Sequence, residues 1–463
     1  MIGSASQSPL DLVVTGGTLL TMNPAMEILE NPVIGIREGR IIFVRAGMAD
    51  VPEAREKLDA TGCAVLPGLV NTHTHSPMVC FRGLADDLPL MEWLHRHIWP
   101  AEAKYVNRDM VYAGTTLAMA EMLLSGTTTF CDSYFYGSSI ARAAVDGGMR
   151  AIVCQGFIDF PTPDSPDPSR QIEIAEKFVG TWRNRSPLVT PSLFCHTPYT
   201  CSTETLKIIK ETARRIDVPF QTHLSETRDE VSIIRERFGK SPVAYLEAIG
   251  VLDAKTVAVH CNWLEEEELD LLAERGVKVS HNPESNLKLA AGMANVPRML
   301  RKGITVGLGT DGCASNNDLD LFGEIGTAAK IHKFTEMDPT VMDAVTVLRM
   351  ATIEGAKVLG LERQIGSVEP GKWADLILID LEKPHFTPLY NLCSHLVYAA
   401  RGADVTTAVV GGRIVMKDRR LLTIDLPAAM EAVRSIGRII LADHLKKHEA
   451  GSIQDEKSEG WRK

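Results

Sequence analysis

Apolar and polar positions alternate in two different ways along this chain. From Asp11 to Arg45 the apolar runs are short and β-like, DLVVTGGTLLTM and then PVIGIREGRIIFVRAG, with glycine pairs and charged turns between them. Such text reads as hairpins. It returns near the other end, in Ala374-Asp-Leu-Ile-Leu-Ile-Asp and again over 406–416, where Gly411-Gly412 forms the turn. The pattern predicts a small β-sandwich domain built from both termini, with 1–62 and 366–425 as its two parts. The middle, 63–365, is organised differently. Eight short apolar runs, at 63–70, 127–130, 150–157, 188–196, 218–223, 256–260, 277–281 and 304–310, mostly alternate with helix-length segments rich in Glu, Lys and Ala, such as 202–216 and 265–275. Eight such units predict an α/β fold, a (β/α)8 TIM barrel, with its chemistry at the C-terminal strand ends. From about Pro427 the tail, 426–463, reads as a helix with a charged, frayed end from Glu449.

Histidines fall on one side of that pattern. Five of the eight runs end on histidine (His75, His196, His223, His260 and His281), and the eighth runs into Asp311. The first of them closes the stretch Pro67-Gly68-Leu69-Val70-Asn71-Thr72-His73-Thr74-His75. On an extended chain residues i and i+2 point the same way, so His73 and His75 present two imidazoles side by side. That is half of a metal site. Alone, the pair fits a chance spacing or a strand cap as well, and it needs partners further along.

Composition narrows the classes. The chain has 463 residues, 45% hydrophobic and 23% charged, with a net charge of −10 and no basic stripe. Nucleic acid and anionic membrane surfaces are therefore excluded as expected partners. No apolar run reaches the length of a membrane span, and the first residues lack a signal-peptide pattern. Nine cysteines are scattered and never form C-x-x-C, which fits reduced thiols and a cytoplasmic location.

With His73-x-His75, His223, His260 and Asp311 in this order, the sequence resembles the amidohydrolase superfamily. NTHTHSPM (71–78), RGLADDLPLMEWL (82–94), HTPYTCS (196–202), HLSET (223–227), VAVHC (257–261), SHNPESNLKL (280–289) and LGTDGCASNN (308–317) extend the match. Together they resemble the methylthioadenosine/S-adenosylhomocysteine deaminase family. Triazine hydrolases and guanine or cytosine deaminases have the nearest related patterns.

His73, His75, His223 and Asp311 can supply the ligands of a catalytic zinc that keeps one position open for water. Zinc lowers the pKa of that water toward neutrality. Some members of the superfamily hold two metals through a lysine ending strand four; 189–196 contains none, so one zinc per chain is expected. Glu226, three residues after His223, is placed to move a proton between the water and a ring nitrogen. The plain alternative is a loop-surface glutamate.

The resemblance implies further roles. His260 would orient the nucleophile with Asp311, Glu102 would bond the ribose hydroxyls, and His196 would contact the purine. Arg170 would bind the amino-acid carboxylate of S-adenosylhomocysteine. Gln155 stands where some members have a second arginine, and His281 has no assigned step. The expected activity is hydrolytic deamination of 5′-methylthioadenosine, S-adenosylhomocysteine and related adenosines to inosine derivatives and ammonia. The alternatives are a chlorotriazine hydrolase, a guanine or cytosine deaminase, or an inactive structural relative. The expected partner is a small nucleoside, and a homo-oligomer is left open.

Overall fold

The structure, a computed structural model, describes residues 9–459. Its centre is a sheet of eight strands: β1 (Leu69–Thr74), β2 (Thr127–Tyr134), β3 (Arg150–Phe157), β4 (Val189–Cys195), β5 (Phe220–Leu224), β6 (Thr256–His260), β7 (Lys278–His281) and β8 (Val306–Leu308). Neighbours pair in parallel and in chain order. The seam between β8 and β1 is joined by side chains and by loop amides. Thr72 Oγ1 donates to the Leu308 carbonyl at 2.9 Å, Asn71 Nδ2 to Thr310 Oγ1 at 2.7 Å, and the Asp311 N–H to the His73 carbonyl at 3.1 Å. Strands with a packed interior on one side and helices on the other are buried on both faces. That is why their sequences are continuous apolar runs rather than alternating ones.

The connecting helices carry their own start and stop signals. Thr203–Arg215 begins at Ser202, whose hydroxyl accepts the Thr205 N–H at 3.2 Å, and it buries Leu206, Ile209 and Ala213 along one stripe. Arg228–Phe238 begins at Thr227 and stops at Gly239, which takes the left-handed conformation of a helix C-terminus.

One expected strand is two. The run over 63–70 splits at Gly68, where a Cβ would collide with the Thr128 side chain on the adjacent β2. Before it, Cys63–Pro67 lies in a seven-stranded sheet, antiparallel to Leu376–Asp380 and parallel to Thr18–Leu20. After it, Leu69 opens β1. An apolar run does not reveal where a chain leaves one sheet for another.

The seven-stranded sheet draws on both ends of the chain and faces a four-stranded sheet made of Leu10–Thr15, Pro32–Arg37, Arg40–Ala46 and Ala54–Asp59. Leu12, Val14, Ile34, Ile36, Val65, Leu376, Leu378 and Val409 share the core between them. At the base of the barrel, Arg150 opens β3 and meets Asp375 of the sandwich in a buried bidentate pair, Nε to Oδ2 at 2.6 Å and Nη2 to Oδ1 at 3.0 Å. Its third nitrogen donates to the Pro187 carbonyl at 2.9 Å, and Asp375 Oδ1 also accepts the Gly411 N–H at 2.6 Å. The guanidinium packs against Trp373.

A helix, Leu426–Glu459, follows and packs on the helix Arg108–Leu124. The helix continues through Glu449, where the sequence predicts a frayed end, to Glu459; side chains from 444 and the residues after Glu459 lie outside the described residues. Among the described residues no helix is long and apolar enough to cross a membrane.

Candidate active site

The strand-end histidines converge because the barrel sends every C-terminal strand end to one face. His73 lies in β1, His75 just beyond it, His223 in β5, and Asp311 in the loop after β8. The Nε2 atoms of His73 and His223 are 3.3 Å apart, and Asp311 Oδ1 lies 3.6 Å from Nε2 of His73 and 3.4 Å from Nε2 of His75. The ligating atoms of His73, His75 and His223 all fall within 4.8 Å of one another. His75 donates its Nδ1–H to the Ser133 carbonyl at 2.6 Å, which turns the Nε2 lone pair inward.

Burial holds all three imidazoles neutral. The pKa of His75 is pushed down to about 4, that of His73 is lowered, and that of His223 is well below its ordinary value. Burial alone would raise the Asp311 carboxyl, but the facing His73, His260 and His75 imidazoles hold it well below the usual range. Neutral imidazoles with a carboxylate, their lone pairs converging, form a donor set that suits zinc. Without a cation between them, two imidazole nitrogens at this distance would repel or share one proton.

Asp311 is fixed from three sides. Thr74 Oγ1 donates to its main-chain carbonyl at 2.8 Å, and Ser285 and Ser315 hydroxyls donate to Oδ2 at 2.7 and 3.1 Å. Glu226, two residues beyond β5, faces His260 at the end of β6, with Oε1 3.8 Å from Nε2. Burial raises the Glu226 carboxyl above its ordinary value. Burial opposes a charged His260, but the Glu226 and Asp311 carboxylates outweigh it and raise the imidazole. A carboxyl and an imidazole in this relation can pass a proton between them.

These groups open into a cavity of about 870 Å³, counted to its solvent-open mouth. Its walls are largely apolar and aromatic, including Trp93, Trp99, Phe135, Phe157, Phe160 and Leu94. Glu102 and His196 also line it. Glu102 is buried, accepts the Tyr134 hydroxyl at 2.6 Å, and has its pKa raised by burial to about 7. His196 has its pKa lowered by burial to about 3, and its Nδ1 is 2.8 Å from Thr200 Oγ1.

Three residues singled out in the sequence lie elsewhere. Arg170 is exposed, forms a bidentate pair with Glu173 at 2.9 and 2.7 Å, and is not among the cavity walls. It starts the helix Gln171–Trp182, and its nearest carboxylate is one turn along on the same surface. Gln155 gives its amide N–H to Asp164 at 2.8 Å and does not reach the cavity. His281 turns away to the buried His332, with Nε2 atoms 3.0 Å apart.

The structure adds residues that sequence reasoning missed. Glu230 is buried and accepts the N–H groups of Ser225 at 2.8 Å and Glu226 at 2.9 Å, while its own pKa rises to about 7 through burial. Asn286 Oδ1 is 2.9 Å from His260 Nδ1, and Asp132 Oδ2 accepts the Ser76 N–H at 2.7 Å. Ser285 and Asn286 stand inside SHNPESNLKL. A signal was present there without a role attached.

The amidohydrolase family model matches residues 64–415, and the chain belongs to the amidohydrolase family. Within it, relatives that match over nearly their full length include deaminases. The chain is 51% identical to a 5-methylthioadenosine/S-adenosylhomocysteine deaminase of Syntrophobacter fumaroxidans, across 94% of this chain and 99% of the relative. It is 43% identical to a 5′-deoxyadenosine deaminase of Methanosarcina acetivorans, across 93% and 99%. The crystal structure of an adenosine deaminase from Xanthomonas campestris with bound zinc superposes with a TM-score of 0.92 at 39% identity, covering 94% of this chain and 99% of that one.

Proposed function

We propose that this protein is a cytoplasmic, zinc-dependent hydrolase that converts 5′-modified adenosines and water into the corresponding inosines and ammonia. The observation that carries the reading is the meeting of His73, His75, His223 and Asp311 beside the Glu226–His260 pair, at the floor of a cavity that also presents Glu102. His73, His75, His223 and Asp311 would hold one zinc per chain. A bound zinc supplies a water nucleophile at neutral pH.

The chain's own groups do the rest. Glu226 takes a proton from the water and delivers it to N1 of the purine as the oxygen adds to C6; the remaining proton of that oxygen then passes to the amine, which leaves as ammonia. A carboxyl with a raised pKa can both accept and donate near neutrality. His260 and Asp311 orient the attacking oxygen. Glu102 keeps one carboxylate oxygen for a ribose hydroxyl while Tyr134 occupies the other. His196 contacts the ring from the side. Holding the ribose fixes C6 in register with the nucleophile.

The test pairs metal analysis with ammonia release from 5′-methylthioadenosine, 5′-deoxyadenosine and S-adenosylhomocysteine. Close to one zinc per chain and ammonia from at least one adenosine are expected. His223→Ala should lose both zinc and activity while keeping its circular dichroism. Full turnover in that variant would remove His223 from the site.

A further inference from the structure

Glu226 and His260 meet across the cavity floor, and they are also joined behind it. The main-chain carbonyl of Glu226 accepts Asn262 Nδ2 at 3.0 Å. Asn262 Oδ1 accepts Asn286 Nδ2 at 2.9 Å, and Asn286 Oδ1 stands 2.9 Å from His260 Nδ1. His260 Nε2 then faces Glu226 Oε1 and closes the circuit.

The sense of that circuit follows from its first member. A side-chain amide can be placed either way round, and an imidazole can carry its proton on either nitrogen. A main-chain carbonyl only accepts. Asn262 must therefore turn its NH2 toward Glu226, which leaves its oxygen for Asn286. Asn286 must then donate to that oxygen and present its own oxygen to His260. Nδ1 of His260 is thereby a donor, and Nε2 is the nitrogen turned toward Glu226.

Both asparagines are buried, so water cannot cheaply replace a partner and reset the direction. The starting carbonyl is itself fixed. Glu230 grips the N–H groups of Ser225 and Glu226, and the Ser225 carbonyl accepts the Trp263 N–H at 3.0 Å.

We infer that Asn262 and Asn286 are positioning residues that hold His260 in the Nδ1–H tautomer, so that Nε2 is the nitrogen presented to Glu226. The inference rests on the proposed deamination, in which that pair handles protons. A purely structural role would need only satisfied or apolar neighbours of the same shape.

The test uses the zinc-loaded, full-length protein with 15N-labelled histidine. Long-range 1H–15N spectra read the tautomer, and His260→Gln identifies the His260 signals by their loss. Wild type should show His260 protonated on Nδ1. Asn262 meets Glu226 only at its main-chain carbonyl and does not itself line the cavity, yet the Nε2–H tautomer should appear in Asn262→Leu. Its kcat should fall by about tenfold or more with KM within about threefold and zinc retained. Asn286→Leu should do the same. Asn286→Asp, which still accepts from Nδ1–H, should keep the wild-type tautomer and lose less kcat. Should the leucine variants not fold, Asn262→Ser replaces them: a hydroxyl can donate or accept, so mixed tautomers are expected. A wild-type tautomer and kcat in the Asn262 variant would overturn the relay, as would equal damage in Asn286→Asp and Asn286→Leu. Absence of ammonia from every adenosine tried with wild type would instead strike the proposed activity, leaving the tautomer comparison standing.

Discussion

The two ends of the barrel bury charge in opposite ways. At the base, Arg150 and Asp375 are both sequestered, and each guanidinium nitrogen has an acceptor. At the mouth, Nδ1 of His73, Nδ1 of His223 and Oδ1 of Asp132 are buried without a hydrogen-bond partner among the described residues. Ser225, His260, Cys261 and Asp311 also hold left-handed backbone there, at φ of 50, 72, 55 and 60°. Such conformations cost non-glycine residues on the order of 1–3 kcal/mol each. A pair whose task is to hold two domains together is saturated. Around the proposed metal-binding groups, some buried polar atoms have no such partner among the described residues and the backbone is strained. The contrast separates function from support more clearly than burial does, since both regions are equally dry.

Variants can break that contrast, and the mouth should give the largest response. Glu226→Gln preserves shape and removes the proton acceptor. Its kcat should fall by about 10²–10⁴-fold while zinc stays bound and Tm does not drop. A loss under about tenfold would assign the proton to another group.

The base should respond in stability alone. Arg150→Met leaves the Asp375 carboxylate buried and unpaired, and should cost about 3–5 kcal/mol in unfolding free energy. Adding Asp375→Leu should recover part of it, because an apolar pair carries no stranded charge. kcat per folded molecule should match wild type throughout, and a parallel fall in kcat would show that the two ends are coupled.

Glu102 sharpens the comparison through pH. Burial raises its pKa to about 7, so the carboxylate that accepts a ribose hydroxyl is present above that value and is lost below it. KM for the nucleoside should therefore rise as pH falls from about 8 to about 6, by roughly two- to tenfold, the worth of one hydrogen bond. Glu102→Gln should flatten that dependence. Persistence of the full pH effect in Glu102→Gln would place the titration elsewhere.

The smallest effect belongs to Arg170. Exposed and paired with Glu173, it should leave kcat/KM within about threefold on every substrate when changed to Met. A loss confined to S-adenosylhomocysteine would bring it back to the substrate.

Much of this was legible in the sequence. All eight barrel strands stand where apolar runs predicted them, apart from the split at Gly68, because a buried parallel strand has no solvent face to interrupt it. His73, His75, His196, His223, His260 and Asp311 converge as their strand-end positions implied, since strand direction alone carries them to one face. Arg170 does not join them. It follows a long loop after β3, where position in the chain no longer sets direction. The roles of Asn262, Ser285 and Asn286 were illegible for another reason. Each acts on a neighbour brought close by folding, Asn262 through the carbonyl of a residue 36 positions away, and no local pattern encodes that.

The strand Cys63–Pro67 has a consequence for how the protein is made. It leads directly into β1, yet it is bracketed by Thr18–Leu20 on one side and Leu376–Asp380 on the other. Synthesis runs from the N-terminus, so His73 and His75 leave the ribosome early while the second bracket leaves it late. Until residue 380 has emerged, that strand keeps an open edge, a ready template for wrong pairing. The fold therefore places His73 and His75, the first two proposed metal ligands, directly after a strand whose sheet is completed near the end of translation, and loading of an ion there would belong to the finished polypeptide.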